Sequence, residues 1–172
     1  MRVFAKSDVG KERETNQDFY HVSSDLAGVK LCILADGMGG YAGGEIASSL
    51  ATISARNYIL ENFNKIEHKK EDILELLKNA MQEANKNVHE KAKQKEELEQ
   101  MGTTLEICLI YNNRAYIGHI GDSRIYRIRK NIIRRITTDH SYVQELVNDG
   151  TITKKQAFYH PKKNMLMKAI RM

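Results

Sequence analysis

LEICLIYNNRAYIGHIGDSRIYRIRKNIIRRI, residues 105–136, is the stretch that separates the fold classes open to this chain. It contains four strand-like runs, at 105–111, 114–120, 123–129 and 132–136, broken by Asn112-Asn113, Gly121-Asp122 and Lys130-Asn131. Short polar breaks between such runs predict hairpins. Upstream, residues 2–8, 18–24 and 29–35 also predict strands. The last is the clearest, because Leu31-Cys32-Ile33-Leu34-Ala35 is a continuous apolar run of the kind a fully buried strand carries. Between the two groups of strands lie two helical patterns. Over 45–63, Ile46, Leu50, Ile53 and Leu60 fall on one face. Over 70–98, Ile73, Leu76, Leu77, Ala80, Met81, Ala84 and Val88 keep helical spacing, and Lys and Glu fill the opposite face. Strands, then two helices, then a meander predict an α+β fold with helices on an antiparallel sheet, not alternating βα units. A short helix is expected over 142–148. Pro161, the sole proline, sits in a Lys-rich stretch that reads as an exposed loop.

The 172 residues suit one domain, 1–172, with no repeat, low-complexity linker or internal boundary. Hydrophobic residues at 41% and charged residues at 28% are ordinary for a water-soluble protein that can build a core. The first residues lack the apolar stretch of a signal peptide, and no run reaches membrane-spanning length. The two cysteines, Cys32 and Cys108, lie inside apolar strand-like runs and read as buried, reduced thiols, which makes the cytoplasm the expected compartment. The net charge of +5 gathers in Arg124, Arg127, Arg129, Lys130, Arg134 and Arg135, and again in Lys162, Lys163, Lys168 and Arg171. Such a surface can serve nucleic acid, an acidic membrane or a phosphorylated substrate. Its plainer reading is a solvated strand face, and neither nucleic acid nor membrane is expected as a partner.

Four polar clusters carry possible chemistry. Asp36 follows the buried strand run and precedes Gly37-Met38-Gly39-Gly40. A carboxylate there is costly unless something binds it. Its oxygens and the Gly37 carbonyl suit a hard divalent cation, although a helix-capping or turn role explains Asp36 equally well. Arg13-Glu14-Thr15-Asn16-Gln17-Asp18 is the second cluster. Arg13 has the planar fork that clamps phosphate, and Asp18 can orient a metal-bound water; an ordinary polar turn is the competing reading. The third is Gly121-Asp122-Ser123-Arg124 at a hairpin corner. The fourth is Thr138-Asp139-His140-Ser141, which also fits a helix N-cap.

Taken in order, Arg13-x-x-Asn16-Gln17-Asp18, Asp36-Gly-Met-Gly-Gly40, Gly102-Thr103-Thr104, Gly121-Asp-Ser-Arg124 and Asp139-His-Ser141 resemble the protein phosphatase 2C family in its bacterial form. The likeness runs from about residue 2 to residue 170 and includes His160-Pro161 and Asn164, which look like the segment after that family's mobile flap. The resemblance implies an α/β/β/α sandwich of two antiparallel sheets flanked by helices. It implies hydrolysis of phosphoserine and phosphothreonine in proteins by a metal-activated water, with no covalent phosphoenzyme. It further implies that Asp36 bridges two Mn²⁺ or Mg²⁺ ions, that the Gly37 carbonyl holds one of them and that Asp122 matches an additional, weaker metal position. Asp18 would bind metal-coordinated water, and Arg13 would grip the substrate phosphate. Phosphorylated proteins and a cognate Ser/Thr kinase are the implied partners.

The chain also departs from the family pattern. It ends before the Asp-Gly and Asp-Asn segments that supply further metal-binding aspartates, so the family domain is expected to be C-terminally incomplete. Arg171 stands where glycine is usual, Tyr41 where many bacterial members have histidine, and Met38 where the animal enzymes do. Little or no activity and self-association are therefore expected of the 172 residues alone, and a truncated, inactive binding or regulatory domain is the alternative reading. Two other readings compete. Gly37-x-Gly39-x-x-Ala42 fits a dinucleotide fingerprint, but a second long helix follows where a strand is required. Cys108-x5-Arg114 has the spacing of a cysteine phosphatase, but residues 109–113 read as strand and turn, not as an anion-binding loop.

Overall fold

The computed structural model describes residues 2–26 and 28–171. Strands β1 (Asp18–Leu26) and β2 (Val29–Met38) form a hairpin, followed by helices α1 (Gly40–Asn62) and α2 (Lys70–Ala92). Then come β3 (Gly102–Thr103), β4 (Leu105–Tyr111), β5 (Arg114–Ile120), β6 (Tyr126–Arg129) and β7 (Ile132–Arg135), and the helices α3 (Tyr142–Asn148) and α4 (Lys154–Tyr159). The main sheet has the order β1-β2-β4-β5, with β3 paired to the end of β2; β6 and β7 make a separate two-stranded sheet. Among the described residues every strand pairing is antiparallel. The α+β expectation therefore holds, with two antiparallel sheets and helices. Among the described residues no helix is long and apolar enough to cross a membrane.

Alternation along the strands decides where the core lies. Leu31, Ile33 and Ala35 of β2 and Leu105, Ile107 and Leu109 of β4 are buried, in one cluster with residues of α1 and α2. Each such Leu or Ile contributes about 1.5–3 kcal/mol of transfer free energy. The alternate residues of β2 leave by the other face, where Leu34 is exposed. Two of the three hairpins expected of the meander form; Gly121-Asp122 closes none, because β5 and β6 lie in different sheets. Asn112 and Asn113 close β4 to β5, and Lys130 and Asn131 close β6 to β7; all four have positive φ, the geometry that matches the right-handed twist of a hairpin.

Several expectations are corrected. Residues 2–8 form no strand; Val3 and Phe4 are exposed there, with no strand alongside to pair their backbone. β2 continues three residues past 35, because Gly37 and Met38 pair with Thr103 and Gly102. α1 begins at Gly40, not 45, behind a tight turn at Gly39 with φ +119°. A Cβ on Gly39 would lie 2.5 Å from the Gln100 carbonyl oxygen, so only glycine fits. The buried stripe of α1 is not the one read from its large residues. Ile53 is exposed, whereas Ala47, Ala51, Ala55 and Ile59 are fully buried together with Ser48 and Thr52. Small side chains let the helix lie close to its neighbours, and the Ser48 hydroxyl is satisfied by donating to the Gln17 carbonyl at 2.6 Å. α2 stops at Ala92, six residues short of 98, and a 3₁₀ turn at Glu96–Leu98 brings Leu98 and Met101 back into the core. β6 starts at Tyr126, since Ile125 N–H donates to the Thr137 hydroxyl. α4 forms where the sequence reading places no element.

Candidate active site

β2 delivers Asp36 opposite Asp18 of β1. Three contacts from residues 103–104 pin the Asp36 peptide. Asp36 N–H donates to Thr104 Oγ1 at 2.9 Å, Thr104 N–H donates to the Asp36 carbonyl at 3.0 Å, and Thr103 Oγ1 donates to the same carbonyl at 2.9 Å. The Gly102-Thr103-Thr104 motif thus orients Asp36 from across the sheet, a role that its residue types alone did not specify. Thr104 Oγ1 also meets Ser123 Oγ at 2.9 Å, joining the Asp36 strand to the Gly121-Asp122-Ser123 corner. Gly121 has φ +113°, and a Cβ there would lie 2.5 Å from Thr104 Cγ2. On the other side, Gly37 N–H donates to the Gln17 carbonyl, and Asn16 Oδ1 accepts from Asp18 N–H.

These elements frame an open cleft of about 790 Å³ lined by Arg13, Asp36, Gly37, Thr104, Asp122 and Asn164, among others. Arg13, Asp36, Gly37 and Asp122 are therefore brought together, and Asp18 lies opposite Asp36 in the hairpin. Asp36 is accessible from the cleft, yet its carboxyl is pushed up to about 6. Desolvation by the surrounding protein is the largest cause. The Asp18 charge and a hydrogen bond to Asp18 come next, then the charge of Asp122, and Arg13 opposes them. Two facing carboxyl groups, with a third nearby, are hard oxygen donors carrying more negative charge than their surroundings offset. That is the donor chemistry of Mg²⁺ and Mn²⁺. Among the described residues no group of three or more His, Cys, Asp and Glu side chains is placed to hold a metal ion. The donors consequently fit a cation that keeps most of its waters, not a closed cage.

Beside the cleft, and sharing Asp122 and Asn164 with it, lies a cavity of about 880 Å³ between the β6–β7 base and the α3–α4 segment. Asp139 anchors its wall. This buried carboxylate accepts from Arg124 Nη2 at 2.7 Å and from Arg135 Nη2 at 2.6 Å. The Asp-His-Ser motif divides its labour: Asp139 pairs with the arginine of the Gly-Asp-Ser-Arg motif, while Ser141 caps α3 by accepting from Gln144 N–H. A second pair had no sequence signal. Glu106 and His119 meet at 2.6 Å across β4 and β5, and the His119 Nε2 lies 2.7 Å from the Thr138 carbonyl. Burial raises Glu106, and His119 opposes that shift. Burial acts to lower His119, but the Glu106 hydrogen bond, the Thr138 carbonyl and the charges of Glu106 and Asp139 outweigh it and raise the imidazole overall.

The competing readings fail on geometry. Cys108 lies mid-strand in β4 and Arg114 opens β5, so no anion-binding loop joins them. β2 is followed by two helices and an antiparallel partner, not by a parallel strand. Arg171 has φ +67°, a left-handed conformation that favours glycine. The side chain of Tyr41 lies outside those described.

The sequence profile of protein phosphatase 2C matches residues 10–169. A putative protein phosphatase 2C-type of Streptococcus pyogenes is 35% identical over 171 residues, covering 99% of this chain and 68% of the relative. The solved structure of the S. agalactiae serine/threonine phosphatase superposes with a TM-score of 0.85 at 34% identity, over 96% of this chain and 66% of that one. The catalytic domain of the serine/threonine protein phosphatase PstP, in complex with two manganese ions, superposes with a TM-score of 0.77 at 36% identity, over 96% and 64%. The chain thus spans about two thirds of the length of these three relatives.

Proposed function

This chain belongs to the protein phosphatase 2C family, and we propose that its cleft serves the hydrolysis of phosphoserine and phosphothreonine in proteins, opposing a Ser/Thr kinase in the cytoplasm. The observation that carries this reading is the convergence of Arg13, Asp36, Gly37 and Asp122 on one solvent-open cleft, with Asp18 facing Asp36. Arg13 offers a charged, planar donor to a phosphate entering from solvent. Asp36, with its peptide held on both sides, presents carboxylate oxygens at a fixed height, and the Gly37 carbonyl and Asp122 add further oxygens. Asp18 faces Asp36 across the hairpin and can hold a water beside it. A bound Mn²⁺ or Mg²⁺ supplies the chemistry that these residues lack, an acidified water and positive charge against the phosphoryl oxygens. The open cleft suits a phosphorylated side chain on a protein surface better than an enclosed small molecule.

Calorimetric Mn²⁺ titration and hydrolysis of a phosphothreonine peptide test the reading together. The 172-residue chain binds Mn²⁺ at about millimolar concentration, as expected for few carboxylates and many waters. Asp36→Asn weakens that binding and removes any Mn²⁺-dependent turnover. Unchanged binding and turnover in Asp36→Asn would move the metal site elsewhere. Exposed Tyr20, Val22 and Leu34 on the sheet face away from α1 and α2 support self-association of the chain; light scattering across a dilution series reads it directly.

A further inference from the structure

Cys32 of β2 and Cys108 of β4 sit directly opposite one another in the main sheet. Both are free, half-buried thiols. They share the face turned away from α1 and α2, since it is their neighbours Leu31, Ile33, Ile107 and Leu109 that lie in the core with the helices. The backbone sets the phase of this ladder. Thr104 N–H donates to the Asp36 carbonyl, and hydrogen-bonded pairs recur every second residue along antiparallel strands. Positions 36/104, 34/106 and 32/108 are therefore pairs of one kind. Such pairs hold their Cα atoms about 5.5 Å apart, inside the roughly 4.4–6.8 Å that a disulfide spans. We propose that Cys32 and Cys108 form a modification site, which a peroxide closes into an intrachain disulfide and a dithiol reopens.

The step balances without a third reactant. One thiolate attacks a peroxide oxygen, the O–O bond breaks, and the departing hydroxide takes up a proton to become water. The resulting sulfenic acid is attacked by the second thiolate. The S–S bond forms, the S–O bond breaks, and a second water leaves. Two thiols are oxidised and one peroxide is reduced. Burial pushes both thiols up, and Cys32 pushes Cys108 further. Because the thiolate is the nucleophile, the reaction quickens from pH 7 to pH 9. Hydrogen-bonded pairs keep their Cβ atoms wider apart than a relaxed disulfide does, which favours easy reduction. The bridge encloses both long helices in one covalent loop. It also ties down β2 four residues before Asp36, on the face from which Asp36 itself projects.

The decisive experiment treats the 172-residue chain with hydrogen peroxide at pH 9 and records intact mass under non-reducing conditions. The expected main product has lost two hydrogen atoms, carries no free thiol and returns to the starting mass with dithiothreitol. In denaturing urea, where the strand register is gone, the bridged product gives way to separately oxidised thiols and linked dimers, because a long loop must close by chance. Sulfinic or sulfonic acids on separate thiols or a disulfide-linked dimer as the main product of the folded chain, or an equal yield of bridged product with and without urea, would overturn the proposal. Cys32→Ser and Cys108→Ser each abolish the bridged product, and the wild-type readout stands without either variant.

Discussion

The helix-covered half of the molecule and the β6–β7 ribbon with its neighbouring α3–α4 segment are built on different principles. Under α1 and α2 the chain is held by burial: Leu31, Ile59, Ile73, Leu105 and Ile107 are all at or near zero exposure. Across β6 and β7 every residue is exposed except the half-buried Arg135, with Ile128 at 72% and Ile132 at 65%. That region is tied down at its base by directed polar contacts, chiefly Arg124 and Arg135 on Asp139. The first half tolerates little change of volume and much change of surface, and the second half the reverse. The cleft lies where the two halves meet, with Asp36 delivered by the packed half and Asp122 by the corner that leads into the open one.

The largest expected effect breaks the packed half. Ile107→Ala loses about 2–5 kcal/mol of stability, read as a fall in the urea midpoint, while Ile128→Ala stays within about 0.5 kcal/mol. Similar losses at the two sites would erase the contrast. Next comes Asp139→Asn, which costs about 1 kcal/mol, less than the usual 1.5–3 for charged hydrogen bonds because solvent screens Arg124. Its sharper signature is local. Amide exchange quickens over 135–148 and not in α2, and uniform quickening would show that Asp139 supports the whole fold.

A smaller effect follows from Asp36. Its folded pKa of about 6 lies above the ordinary 3.8, so the folded chain binds the proton more tightly than the unfolded one. Stability therefore falls as pH rises from about 4 to about 6. Asp36→Asn raises the urea midpoint at pH 7 and leaves it unchanged at pH 3.5, by under about 1 kcal/mol because the group is open to water. An equal shift at both pH values would show that repulsion is not the cause. The smallest is Arg171→Gly. Relief of a left-handed residue is worth about 1–2 kcal/mol, and most of it is offset by glycine's greater freedom in the unfolded chain. A gain of a few tenths of a kcal/mol is expected in thermal unfolding; a clear loss would mean that contacts of the Arg171 side chain outweigh its backbone strain.

The meander was legible because its turns are local. Asn112-Asn113 and Lys130-Asn131 announce two-residue loops, and both hairpins have them. α2 was legible from its large apolar residues. The core face of α1 was not, because alanine, serine and threonine give a weak hydrophobic signal even where they are fully buried. α4 did leave a sign, since Thr153-x-x-Gln156 is a capping box, but six residues are too few for a periodicity to show. In the site, the spaced motifs pointed to Asp36, Arg13, Asp18 and Asp122. Glu106 and His119 were illegible, because thirteen residues separate them and only strand register brings them together.

The clamp on the Asp36 peptide has a consequence for the order of assembly. Its donors and acceptor lie 67 and 68 residues away along the chain, beyond both helices. α1 and α2 are adjacent in sequence and can collapse on each other early, whereas the β2–β4 seam must wait for a long loop to close. The cleft around Asp36 is therefore among the last features to appear during folding. A chain emerging from the ribosome carries no formed Asp36 site until residues 103–104 have been made and docked.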